Sequence, residues 1–257
     1  MSSNIGRAPS PEGSFTDIVR RLSAAQKSSV GVSAYSRWFN RPIGRRLAAA
    51  AYKLGMTPNQ VTAVSAVLTF AGIGMVAVAP AGIGLGVLVS GLLALGYAVD
   101  SADGQLARLR GGGTWSGEWL DHVVDGIKMA SLHVAVLIGW YRFFDLPSDA
   151  LLLVPLAFTV ESSVFFFTLI LSEQLRRAAT GDRSRPATEG STRRQKWQSL
   201  AVLPADYGLH CWMFLLWGLP AVFIPFYSAL VALNVALLAI GLMRWFREMR
   251  RLDAAAH

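Results

Sequence analysis

At 257 residues, with 53% hydrophobic residues and a mean hydropathy of +0.41, the chain is one domain or a domain with a tail, and membrane spans are to be sought in it. The net charge of +8 and the isoelectric point near 10.1 would suit nucleic acid by number alone. The cations cluster beside apolar segments, however, where they set orientation or meet anionic lipid, so no nucleic-acid partner is expected. The single Cys211 excludes an internal disulfide, and its apolar setting points to a packing role.

Residues 1–34 open Ser-, Gly- and Pro-rich, with no apolar core of the kind a signal peptide needs. They are expected to form a flexible cytoplasmic N-terminus, with a short helix over 14–25. Residues 35–54 carry Phe39, Ile43, Leu47, Ala50 and Leu54 at helical spacing, flanked by Arg37, Arg41, Arg45, Arg46 and Lys53. That pattern predicts an amphipathic helix in the headgroup plane over 35–56, with Pro42 tolerated only near its start. A solvated face packed on the protein's own surface is the plainer alternative. Thr57 followed by Pro58 reads as a helix entry.

Two apolar runs follow, 61–80 and 81–99, separated by Pro80-Ala81-Gly82. Each is near the roughly 20 residues that cross the hydrocarbon core. Directly after them comes DSADGQLARLRGGGTWSGEWLDHVVD, residues 100–125. Asp100, Asp103, Gly104 and Ala107 fall on one face of a helix, and Gly117, Asp121 and Asp125 on one face of the next. Gly111-Gly112-Gly113 is a natural turn between them. Two antiparallel helices would gather four carboxylates, which repel one another unless a cation sits among them. The stretch holds no Cys and only His122, so the ligands are hard oxygens, which favours Mg²⁺ or a similar ion over Zn²⁺. Ions of this kind hold phosphates, and a pair of them clamps the attacking and leaving oxygens of an in-line displacement.

Those residues resemble, position by position, the signature of the CDP-alcohol phosphotransferase (CDP-alcohol phosphatidyltransferase) family, D-x2-D-G-x2-A-R-x8-G-x3-D-x3-D. It is met by Asp100, Asp103-Gly104, Ala107-Arg108, Gly117, Asp121 and Asp125. The resemblance implies an all-α, polytopic membrane protein of six transmembrane helices, a homodimer, in which an acceptor hydroxyl attacks the β-phosphorus of a CDP-alcohol and releases CMP. It implies that Asp100, Asp103 and Asp121 hold two Mg²⁺ (or Mn²⁺) ions, and that Asp125 adds a base role to its place near the metal. Gly104 and Ala107 would be small so that the nucleotide can lie against the backbone, and Gly117 belongs to the same nucleotide-binding set. Arg108 would neutralise a phosphate or mark the helix end. Thr57 and Asn59 would lie beside the nucleotide, or serve only as a helix cap.

Further spans are predicted over 117–144, 150–175, 208–226 and 227–246, which makes six in a catalytic domain of 57–246, with a basic tail at 247–257. Of 24 Lys and Arg, Arg142 alone falls away from the signature side. The positive-inside rule therefore puts the aspartates and both termini in the cytoplasm. Lys128 lies one turn beyond Asp125 and needs an anionic partner, either Asp125 or an acceptor, unless it snorkels. Glu161 reads either as an acceptor contact or as an interhelical hydrogen-bonding group. Arg193 and Arg194 could dock a phosphorylated acceptor or simply line a positive-inside loop. His122, His133 and His210 read as packed or hydrogen-bonded histidines rather than ligands. Two substrate pairings compete: CDP-diacylglycerol with inositol phosphate or glycerol phosphate, and a polar CDP-alcohol such as CDP-inositol with a sugar-alcohol phosphate or lipid. A cation transporter built on membrane carboxylates is the alternative from another class; the acidic groups gather at one membrane edge, which disfavours it.

Overall fold

The computed structural model describes residues 14–24, 34–181 and 203–256. These are helical throughout, with no strand among the described residues. The helix α1 (Phe15–Ala24) precedes α2 (Arg41–Lys53), which is entered through a π turn at Ser36–Asn40. Then come α3 (Pro58–Val78), α4 (Ile83–Leu109), α5 (Trp115–Phe143), α6 (Leu153–Thr180), the short α7 (Tyr207–Trp212) and α8 (Pro220–Ala256). Among the described residues, five helical segments are long and apolar enough to cross a membrane: Pro58–Val78, Ile83–Leu109, Trp115–Phe143, Asp149–Thr180 and Pro220–Ala255. The protein is thus a polytopic integral membrane protein.

The π turn has a local cause. Pro42 has no amide hydrogen and its ring crowds the preceding turn, so the Arg41 amide bonds back to the Ser36 carbonyl and the helix widens rather than stops. The chain is therefore already helical ahead of Pro42, where the sequence placed the proline near a start. At its other end α2 closes on Gly55, whose φ of 71° is open to glycine and strained for other residues. The Met56 amide reaches the Ala51 carbonyl and the Gly55 amide that of Tyr52, the paired bonds of a Schellman cap. Thr57 then caps α3, accepting from the Gln60 amide while the Gln60 side chain accepts from the Thr57 amide.

The last third of the chain differs in its breaks from the expectation. The stretch 208–226 is not one continuous helix. It begins as α7, tightens to a 3-10 turn at Met213–Leu216, and breaks at 217–219 before α8 starts on Pro220. Proline fits the first helical position, where no internal amide partner is needed, and this sets the start of α8 ahead of the expected division at 226/227. Pro225 is carried inside the helix. Through the basic end the chain stays helical, since α8 runs on to Ala256. Similarly, α6 extends through Arg176 and Arg177 to Thr180, past the expected end at Leu175.

Two cores form. The larger is aromatic, built from Trp140, Phe158, Phe214, Trp217, Phe223 and Tyr227, all shielded from solvent, with the aliphatic faces of α3 to α5. The second joins Ile18 and Leu22 of α1 to Ala48, Ala49 and Tyr52 of α2 and Ala102, Leu106 and Leu109 of α4. It covers the end of the bundle that carries the signature. Gly44 lets α2 approach, because a Cβ there would sit 2.7 Å from Ser101 Oγ.

Candidate active site

The signature is divided between the last turns of α4 and the first turns of α5, as the helical spacing predicts. Gly111 and Gly112 make the reversal with φ of 98° and 129°, a region that penalises side chains. Arg110 ties this turn to the corner between α2 and α3, donating to the Met56 carbonyl at 2.7 Å and lying over the Tyr52 ring. Thr114 caps α5 by accepting from the Gly117 amide at 3.1 Å.

The hairpin brings Asp100, Asp103 and Asp121 together so that one carboxylate oxygen from each lies within 4.8 Å of the others. Such a spacing suits ligands of one hard cation, and three carboxylates this close call for one. Asp103 is buried, and its Oδ2 accepts from Thr62 Oγ1 at 2.6 Å while its Oδ1 accepts from the Gly104 amide. A bonded carboxylate is held in one orientation, as metal ligands commonly are. The donor set and its support therefore fit a divalent ion.

A cavity of about 180 Å³ lies against these groups, lined by Arg41, Asp100, Ser101, Asp103, Gly104, Gln105, Arg108, Asp121 and Asp125. Arg108 and Arg41 place cations on its wall beside the carboxylates. Burial pulls the Arg41 pKa down from its ordinary value, and a guanidinium keeps its charge all the same. An anionic ligand with a bound cation would find both signs of charge there.

Among the residues singled out from sequence, the wall holds Asp100, Asp103, Gly104, Arg108, Asp121 and Asp125. Ala107 and Gly117 lie off it. A Cβ at Gly117 would stand 3.1 Å from Asn59 Oδ1, so Gly117 lets the start of α3 close on the start of α5. Thr57 is engaged in its cap. Lys128 lies behind the wall, its Nζ against Asp125 Oδ1 and 3.6 Å from Asp100 Oδ1. Glu161 is buried in α6 and is not part of the wall. Arg193 and Arg194 lie outside the described residues.

His133 hydrogen-bonds Tyr227 Oη at 2.9 Å and stacks on Phe158, and His210 Nε2 donates to the Pro204 carbonyl, so both are packed histidines as expected. His122 Nδ1 stands 3.8 Å from Asp121.

Sequence reasoning missed Thr62, Arg41, Ser101 and Gln105. Ser101 and Gln105 follow Asp100 and Gly104 by one residue each, and that offset is the signal that could have found them. Gln105 Nε2 donates to the Ser101 carbonyl at 3.0 Å and the Arg41 carbonyl at 3.3 Å, fastening α2 to α4 beside the cavity. Thr62 lies one helical turn after Pro58, and only the folded pairing of α3 with α4 reveals its partner.

The chain is 36% identical over 115 residues to a phosphatidylinositol phosphate synthase of Corynebacterium glutamicum, a match covering 45% of this chain and 50% of that one. The chain thus spans about half the length of this curated relative. Among solved structures, the crystal structure of Mycobacterium tuberculosis phosphatidylinositol phosphate synthase with CDP-DAG bound aligns at 21% identity and a TM-score of 0.42, over 75% of this chain and 93% of that one. The family profile described as CDP-alcohol phosphatidyltransferase matches residues 55–243, a range that contains the whole of the aspartate hairpin, and the chain belongs to that family.

Proposed function

We propose that this protein transfers a substituted phosphate from a CDP-alcohol, CDP-diacylglycerol in the first place, to a hydroxyl of a polar acceptor such as inositol phosphate or glycerol phosphate, releasing CMP. The observation that carries the reading is the gathering of Asp100, Asp103 and Asp121 oxygens within 4.8 Å beside a cavity walled by Arg41 and Arg108. The choice of donor and acceptor is supported by the likeness to a phosphatidylinositol phosphate synthase.

Asp100, Asp103 and Asp121 would hold Mg²⁺ or Mn²⁺, and Asp125 lines the same cavity. When bound, such ions neutralise the pyrophosphate and the departing CMP. The remaining work falls to the chain itself. Arg108 and Arg41 attract the phosphates, and the missing side chain of Gly104 leaves room on α4 for the nucleotide. Asp125 takes the proton of the acceptor hydroxyl as its oxygen bonds to the β-phosphorus. The bond from that phosphorus to the oxygen bridging the two phosphates breaks, and its electron pair leaves on CMP.

The exposed Trp38, Phe39, Ile43 and Leu54 around the Arg-rich α2 support an interfacial role for residues 35–56 beside a catalytic domain of 57–246. Exposed Trp115 and Trp119 at the start of α5 suit the same interface. The positive charge near the hairpin supports a cytoplasmic active site in the cell membrane. A homodimer follows from family resemblance, and mass measurement in nanodiscs checks it.

Release of labelled CMP tests the reaction, with Mg²⁺ and a panel of CDP-alcohols crossed against acceptors. CMP is expected from CDP-diacylglycerol with a polar acceptor. Turnover of CDP-inositol instead would reassign the donor, and no CMP from any pair would refute the reaction.

A further inference from the structure

Lys128 is the buried cation nearest the site, and its setting is unusual for a membrane helix. Its side chain is 6% exposed. The ammonium meets Asp125 from its own helix and Asp100 from α4 at 3.6 Å. On its other side the Tyr207 ring lies 4.9 Å away, close enough for attraction to the ring face. A lysine inside a membrane protein needs such partners, and here it has two acids and an aromatic face.

The partition of the four aspartates follows. Asp100, Asp103 and Asp121 bring oxygens mutually close, and Asp125 is not in that group. Asp125 is turned to Lys128. A second divalent ion that needed Asp125 and the free oxygen of Asp100 would compete with an ammonium already held there.

We infer that Lys128 is a built-in counter-cation that reserves Asp125 and Asp100, so that the enzyme without substrate offers one high-affinity divalent seat and a second that opens only when the ammonium withdraws. The inference rests on the aspartate site proposed above. A positive charge within about 4 Å of a cation site opposes binding there by direct Coulomb repulsion. It also stabilises the metal-free protein, because two half-buried neighbouring carboxylates repel one another without a cation.

The test is Mn²⁺ binding to the full chain in nanodiscs without nucleotide, followed by electron paramagnetic resonance, in wild type, Lys128→Gln and Lys128→Arg. Wild type and Lys128→Arg are expected to hold one tight ion. In Lys128→Gln the second ion is expected to bind at least about tenfold more tightly. Its thermal midpoint should fall in EDTA and recover with Mn²⁺ by more than that of wild type. Unchanged or weaker binding of the second ion to a folded Lys128→Gln would overturn the inference. Should that variant fail to fold, Tyr207→Leu carries the test. Loss of the aromatic face loosens the ammonium and should tighten the second ion about threefold, and no change would overturn the inference equally. If wild type binds no Mn²⁺ at all, the aspartate site itself is wrong, which is a different failure.

Discussion

The hairpin end of the bundle and its aromatic core are built on opposite plans. At the hairpin, α4 and α5 present aspartates to a cavity whose wall also holds the small Ser101 and Gly104. In the aromatic core, rings fill the space between the same α5 and its neighbours α6 and α8. Trp140 meets Tyr227 at 5.4 Å between centroids, Phe158 meets Tyr227 at the same distance, and Phe144 meets Trp217 at 4.8 Å. One helix therefore serves both plans, polar in its first turns and packed with rings in its later ones. The contrast teaches that loss of a side chain should remove chemistry at one end and stability at the other.

The largest effect is expected from Asp103→Asn. The residue is buried among the ligand group, and CMP release should fall by about a thousandfold or more, with the thermal midpoint little changed. A variant that unfolded instead would erase the distinction between the two regions. Trp140→Ala is the converse. It should cost about 3 kcal/mol of stability in detergent unfolding, while Mn²⁺ affinity stays within a factor of two or so of wild type, well under the tenfold worth about 1.4 kcal/mol.

A smaller effect is expected from Thr62→Val, which removes the bond to Asp103 Oδ2 but keeps the shape. Loss of such a supporting bond costs about 10- to 100-fold in metal affinity or activity, read from a Mg²⁺ titration of turnover. An unaltered Mg²⁺ dependence would mean that Thr62 only packs. The smallest effect on activity belongs to Leu22→Ala. It uncovers a buried contact of α1, worth about 2 kcal/mol, and should raise hydrogen exchange in α1 and α2 before any change in α5.

What could be read from the sequence follows the same division. The four aspartates stand at helical spacings around a glycine turn, so their meeting is a local matter of two consecutive helices. The caps at Thr57 and Gly55 are local too. Thr62 and Arg41 were hidden because their roles depend on α3 and α2 docking against α4, a choice made by packing and not by spacing. Lys128 was recognised as needing an anion. That it joins Asp125 to Asp100 required the pairing of two helices. The division of the last apolar run was misplaced because hydropathy is continuous across it, and only the break at 217–219 and the start on Pro220 mark where the chain turns.

The most direct test of the aspartate site is anomalous scattering from crystals of the full chain grown with Mn²⁺. A manganese peak is expected in contact with Asp100, Asp103 and Asp121, absent from crystals of Asp121→Asn grown alike. Ordered carboxylates with no peak between them, or a peak that survives the substitution undiminished, would contradict it.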